Sequence, residues 1–328
     1  MKATAIRAGF LTSVQDLGRA GLREFGVSPG GALDPHALRV ANLLVGNKEP
    51  AAGLEITFGG LRIRFADDRV IAWCGGDFEA CIGSMRLASG HAALVQSGED
   101  FSIESPAIGC RAWLAISGGI DVPVFLGSRA TDLKAGFGGM NGRAIRDGEQ
   151  LLLGENSERS KTLAETLRTG RIASWKPPHN WSNPAQPEPV LRFIRGSDAD
   201  HCTAEAMRTF SRSGFFVSPD SDRMGVRLDG PRLERTSEKD LLSEAVAPGT
   251  VQVPPNGRPI LLLNDCQTIG GYPKLAHVIT FDLPIAAQLR PADTVRFSEV
   301  TLLEAHRVLC ERERDLQQFR GGIEWHLK

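Results

Sequence analysis

Residues 249–297 read GTVQVPPNGRPILLLNDCQTIGGYPKLAHVITFDLPIAAQLRPADTVRF. Short apolar runs there, such as Ile260 to Leu263, are cut by Pro254-Pro255, Gly257, Gly270-Gly271 and Pro273. Strand-length runs between glycine and proline breakers predict an all-β region of short strands. The same stretch gathers polar side chains at the ends of those runs, where a rigid strand presents a loop to a ligand.

Composition agrees with that reading. The chain has 36 glycines and 19 prolines against 6% aromatic residues, which favours many short strands over helices. Its 328 residues exceed one usual domain, so two of about 150 residues each are expected. The formal net charge is −1 with both signs interspersed, so no electrostatic footprint points to nucleic acid or an anionic membrane. A small molecule or a protein partner is expected instead. The start, MKATAIRAGFLTSVQDLG, lacks the apolar core of a signal peptide, and no later run approaches a membrane span, which predicts a cytoplasmic protein. The six cysteines show no CxxC and no histidine pair shows metal spacing, so reduced core thiols and no metal site are expected.

Along the chain, Asp34 as N-cap, Pro35 at the first turn and Gly46 at the end predict a helix from Pro35 to Val45. Strands are predicted around Ala3–Ile6, Leu61–Phe65, Arg69–Trp73, Ala93–Gln96, Arg111–Ser117 and Glu149–Leu153. The five prolines of WKPPHNWSNPAQPEP predict a linker without helix or central strand. The expected division is therefore 1–175, a linker at 176–189, and 190–328. In the second part a strand at Val190–Ile194, a helix at Thr203–Arg212 and a C-terminal helix capped by Ser298 are expected. Paired motifs, Val27-Ser28-Pro29 with Val217-Ser218-Pro219 and Gly118-Gly119 with Gly270-Gly271, suggest two related halves.

Gly26-Val27-Ser28-Pro29-Gly30 has the spacing of a nucleophile elbow, but Pro29 has no N–H to donate to an oxyanion, so a turn is expected there. No phosphate loop, HExxH or GxGxxG motif is present. The candidate chemistry lies at 264–277. Asp265, Gln267 and Lys274 are the candidate catalytic side chains, with Gln252, Tyr272 and His277 around them. Ser221-Asp222-Arg223 is either a capped turn or an arginine presented to an anion. Lys274 and His277 are an odd number of residues apart, so on one strand they face opposite ways. Cys266 has no base placed beside it by sequence.

Six separated motifs, TSVQDLGRAG (12–21), GVSPGGALD (26–34), ANLLVGN (41–47), SGGIDVPVFLGSRA (117–130), VSPDSDRMGVRLDGP (217–231) and VQVPPNGRPILLLNDCQTIGGYPK (251–274), carry a resemblance. The chain resembles the allophanate hydrolase second-subunit family, also called the biotin-dependent carboxyltransferase family, which includes the C-type subunit of 5-oxoprolinase and the Kip antagonist type. The resemblance implies a mainly β fold of two cyclophilin-like β-barrel domains with a few short helices. It further implies one component of an enzyme that opens 5-oxoproline or a similar cyclic amide, working with a B-type companion protein and an amidohydrolase-like A-type component. ATP with magnesium is implied for that complex, and no covalent biotin is expected on this chain. Two other roles are implied for relatives: carboxyl transfer from biotin to a urea-like substrate, and non-catalytic binding of a kinase-inhibitor partner. One departure stands out. Where the family carries a Gly-Pro-Gln-like turn, this chain has Gly196-Ser197-Asp198.

Overall fold

The computed structural model describes residues 1–237, 239 and 241–326, with no side-chain account of residue 326. Two compact units emerge: Met1–Arg19, Gly30–Ala185 and Asp315–Lys328 form unit 1, while Ala20–Pro29 and Gln186–Arg314 form unit 2. They are interleaved along the sequence rather than divided linearly at 176–189.

Unit 1 is built on nine strands, β1 (Lys2–Ala8), β2 (Leu11–Gln15), β3 (Gly53–Thr57), β4 (Leu61–Phe65), β5 (Arg69–Ile82), β6 (Met85–Arg86), β7 (Ala92–Val95), β8 (Asp100–Ile116) and β9 (Glu149–Leu152). They run in the order β2-β3-β8-β4-β1-β9, with β5 branching from β8 to β6 and β7, as a curled half-barrel. β4 alternates buried and exposed residues, because its Leu61, Ile63 and Phe65 enter the core while Arg62 and Arg64 meet Asp100. Helix α1 (Pro35–Leu44) starts where expected: the Asp34 carboxylate accepts from the Ala37 N–H at 2.9 Å, which satisfies one of the first-turn donors.

Helix α2 (Glu158–Gly170) falls where the sequence reading places no element. Ser157 caps it by accepting from the Ser160 N–H, and Leu163 and Leu167, one turn apart, are buried. The proline-rich stretch also departs from expectation, since α3 (His179–Ser182) forms one helical turn inside it. Pro178 stands just before that turn, where a missing N–H is not needed.

Unit 2 contains a closed barrel. Its strands β10 (Val190–Arg195), β11 (Phe215–Val217), β12 (Gly225–Asp229), β14 (Thr250–Gln252), β15 (Ile260–Leu262), β17 (Lys274–Val278) and β18 (Thr294–Glu299) close in the order β10-β17-β14-β15-β12-β11-β18. A separate two-residue ribbon joins β13 (Glu244–Ala245) to β16 (Ile269–Gly270). Helix α4 (Ala204–Arg212) places Phe210 against Phe193, Phe215 and Phe297, the last stacked at a 4.3 Å centroid separation. All three partners come from barrel strands, so the helix seals the barrel core.

The turn α5 (Leu283–Ala286) precedes β18, and a helix of 25 residues, α6 (Leu302–His326), follows it. This is the C-terminal helix that the sequence predicts, and the fold remains mainly β with few helices. Ser298 lies on β18 and does not cap α6. The cap is Thr301, whose hydroxyl accepts from the Glu304 N–H while the Glu304 carboxylate accepts from the Thr301 N–H, a reciprocal capping box.

Candidate functional site

Antiparallel pairing fixes where the candidate residues fall on the barrel. β14 and β15 are matched Gln252 to Ile260, and β14 and β17 are matched Gln252 to Lys274 and Thr250 to His277. Gln252 and Lys274 therefore share one end of these strands. His277, level with Thr250, lies toward the other, and its ring faces the Thr250 hydroxyl at 3.4 Å. Burial pushes the His277 pKa down, which favours the neutral imidazole, and among the described residues no hydrogen bond joins it to Lys274.

The loop after β15 does not keep its polar side chains together. Asp265 is 8% exposed and Arg223 6%. Arg223 Nε donates to Asp265 Oδ2 at 2.8 Å and Nη2 to Oδ1 at 3.1 Å, a two-pronged pair inside the unit. The Asp265 N–H also donates to the Arg223 carbonyl, so backbone and side chains tie the same two residues. This geometry argues against Asp265 as a proton acceptor and against Arg223 as an anion clamp. Each presents its charged atoms to the other in a two-pronged pair, with little of either open to a ligand.

Ser221 and Asp222 serve the backbone. The Ser221 hydroxyl accepts from the Arg227 N–H, and Asp222 Oδ1 accepts from the N–H groups of Met224 and Gly225. The tripeptide forms a capped turn in the structure, with Arg223 facing Asp265. Cys266 is fully buried and its thiol is pushed up to about 11 by burial, with Arg23 only partly opposing that, so it is not a nucleophile at neutral pH.

What remains is a rim around Gln252. Gln267 is exposed and donates through Nε2 to Gln252 Oε1 at 3.3 Å, while Gln252 Nε2 donates to the Tyr272 carbonyl at 3.3 Å. Tyr272 contributes that carbonyl, and the residue is 37% exposed. Gly270 lies close by: a Cβ on it would stand 2.8 Å from Gln252 Nε2 and would displace that amide. Gln252 is itself 1% exposed, so Gln267 is the amide of this chain of bonds that reaches solvent, and it carries both a donor and an acceptor of the kind that match an amide ligand. Beside them, Lys274 Nζ sits 2.9 Å from Asp198 and 2.8 Å from Glu244. Burial opposes charge on Lys274, but the hydrogen bonds to Glu244 and Asp198 outweigh it and raise its pKa. Burial opposes charge on Asp198 too, and there Lys274 outweighs it, so the carboxyl pKa is lowered.

Sequence reading missed Asp198 and Glu244 as members of the site. Only Asp198 left a trace, since it belongs to the Gly196-Ser197-Asp198 turn that departs from the family pattern. An open cleft of about 900 Å³ in unit 1, lined by Arg39, Lys48, Glu49 and Arg159 among others, contains none of the expected residues.

The carboxyltransferase domain, subdomain A and B, matches residues 25–299 of this sequence. The chain belongs to the carboxyltransferase-domain family. It is 39% identical to the 5-oxoprolinase C-type subunit of Escherichia coli K12 over 322 residues, covering 98% of this chain and 97% of that protein. It is 34% identical to the 5-oxoprolinase C-type subunit of Haemophilus influenzae over 95% of this chain and 96% of that one. The crystal structure of Kluyveromyces lactis urea carboxylase superposes with a TM-score of 0.87 at 27% identity, covering 97% of this chain but 29% of that one. The family fold thus recurs as one part of a much longer protein. Among the described residues no helix is long and apolar enough to cross a membrane.

Proposed function

We propose that this chain is a subunit of an ATP-dependent 5-oxoprolinase-type hydrolase that opens 5-oxoproline or a similar small cyclic amide in the cytoplasm. It acts in a complex with a B-type companion protein and an amidohydrolase-like A-type component. The observation that carries this reading is 39% identity to a 5-oxoprolinase C-type subunit over 98% of the chain. The amide rim of Gln252 and Gln267 beside Lys274 suits such a ligand.

Amide resonance makes the lactam carbonyl a poor electrophile. Moving the terminal phosphoryl group of ATP onto the lactam oxygen removes that protection. With ADP released, one water adds to the carbon and the ring C–N bond breaks with a proton passing to nitrogen, which leaves an acyl phosphate; a second water cleaves that to the carboxylate and inorganic phosphate. In this scheme Gln267, braced by the buried Gln252, holds the ring amide and Lys274 balances a carboxylate. Asp265 and Arg223 are assigned no step. Magnesium ATP belongs to the assembled complex. Among the described residues no three His, Cys, Asp or Glu side chains gather to hold a metal, and none is assigned to it.

The family description and the fold shared with urea carboxylase favour a second reading, carboxyl transfer from a biotinylated carrier to a urea-like substrate. Reconstitution with the companion proteins separates the two. ATP turnover that depends on 5-oxoproline and needs no biotinylated carrier is expected. Turnover only with urea and the carrier transfers support to the second reading, and a tight complex that turns over neither substrate leaves a regulatory binding role.

A further inference from the structure

Lys274 Nζ carries three donors. Two are directed at carboxylates that are held very differently. Asp198 is built in: its side chain is 13% exposed, and it also accepts from the Lys274 N–H and the Ser197 hydroxyl, each at 3.1 Å. Glu244 has a side chain 63% exposed, and Lys274 is the partner that the described residues give it, at 2.8 Å.

Glu244 also stands on a short ribbon, flanked by hydrogen bonds from the Leu241 N–H to the Gly271 carbonyl and from the Val246 N–H to the Thr268 carbonyl. Its ladder is two residues long, Glu244 with Gly270 and Ala245 with Ile269. Gly270, in turn, is the residue that passes tightly against the Gln252 amide. The exposed carboxylate is thus placed at the edge of the amide rim, on the ammonium beside it.

We infer that Glu244 is an internal stand-in for a ligand carboxylate, holding Lys274 in the free protein and swinging into solvent when a small anionic lactam enters. The ligand's carboxylate takes the vacated donor, and its ring amide meets Gln267, which the buried Gln252 braces. This rests on the reading of the rim as a lactam site. The exchange replaces one carboxylate by another, so the ammonium is never left with fewer partners and Asp198 keeps it in place throughout. An uncharged lactam offers nothing in exchange and leaves Glu244 where it is. The device therefore selects for the anion.

The test uses the full chain with 5-oxoproline and pyrrolidin-2-one as probes, following the side-chain ammonium NMR signal of Lys274, assigned by its loss in Lys274→Met. 5-Oxoproline is expected to shift that signal saturably and pyrrolidin-2-one to leave it unmoved. In Glu244→Gln the half-saturating concentration of 5-oxoproline is expected to fall about two- to fivefold, the loss of one exposed ion-pair competitor, with Glu244→Asp closer to the parent. A purely structural Glu244 gives the opposite sign, weaker binding. An unmoved Lys274 signal, or a half-saturation unchanged or raised in Glu244→Gln, overturns the inference. If the assembled complex opens no lactam while the Lys274 signal still titrates with 5-oxoproline, the functional reading fails and the exchange stands. The reverse pattern sinks the exchange alone.

Discussion

Asp265→Ala distinguishes a buried strut from a reacting group. The pair it breaks is almost closed to solvent, with side chains 6% and 5% exposed, and both carboxylate oxygens lie within 3.1 Å of the guanidinium. Removing the carboxylate breaks a two-pronged pair that is almost closed to solvent, and breaking such a buried pair costs about 3–5 kcal/mol. Replacing both, as Arg223→Met with Asp265→Leu, removes the desolvation cost along with the attraction. That double variant is expected within about 1 kcal/mol of the parent or above it. The four species form a cycle whose coupling energy is expected to reach several kcal/mol. The assay is urea denaturation followed by circular dichroism. Hydrogen exchange of peptides covering β12 and β15 confirms that the loss falls in unit 2. If Asp265→Ala costs under about 1 kcal/mol while abolishing turnover of the reconstituted complex, the strut reasoning fails and Asp265 returns as a chemical participant.

Phe210→Ala empties the centre of the aromatic cluster closing the barrel and is expected to destabilise unit 2 by about 3–5 kcal/mol in the same denaturation assay. Gln267→Ala, on an exposed side chain, is expected to leave stability within about 0.5 kcal/mol and raise the KM for a lactam about five- to twentyfold through one lost amide hydrogen bond. His277 has a pKa depressed by burial, so the unfolded chain binds a proton there before the folded one does. Its contribution is present above the unfolded value of about 6.5 and is lost as pH falls from there through the lower folded pKa. Denaturation midpoints measured from pH 7.5 to 5 should decline, and His277→Asn should flatten part of that decline.

Local signals carried most of the fold. Asp34-Pro35 marked a helix start, the alternation at Leu61–Phe65 marked a half-buried strand, and glycine and proline breaks marked the short barrel strands. Where reading failed, a stronger local signal stood nearby: Thr301 and Glu304 three residues apart are the box that Ser298 lacks, and Ser157 with Leu163 and Leu167 announces α2. The site was less legible because its pairs are distant in sequence. Arg223 and Asp265 are 42 residues apart, Asp198 and Lys274 are 76, and Glu244 and Lys274 are 30. No local pattern reveals which carboxylate a buried cation has taken. Asp265 and Lys274 looked alike from the sequence, and only the barrel register separates a strut from a rim.

The barrel of unit 2 closes where β10 meets β18 side by side in parallel, Leu191 opposite Phe297. The first strand of the unit to leave the ribosome must therefore wait for the last, about a hundred residues later, before its open edge is covered. Until then a growing chain exposes an unpaired strand that a neighbouring chain can adopt, so slow assembly and a demand for chaperone protection are built into the topology of this seam.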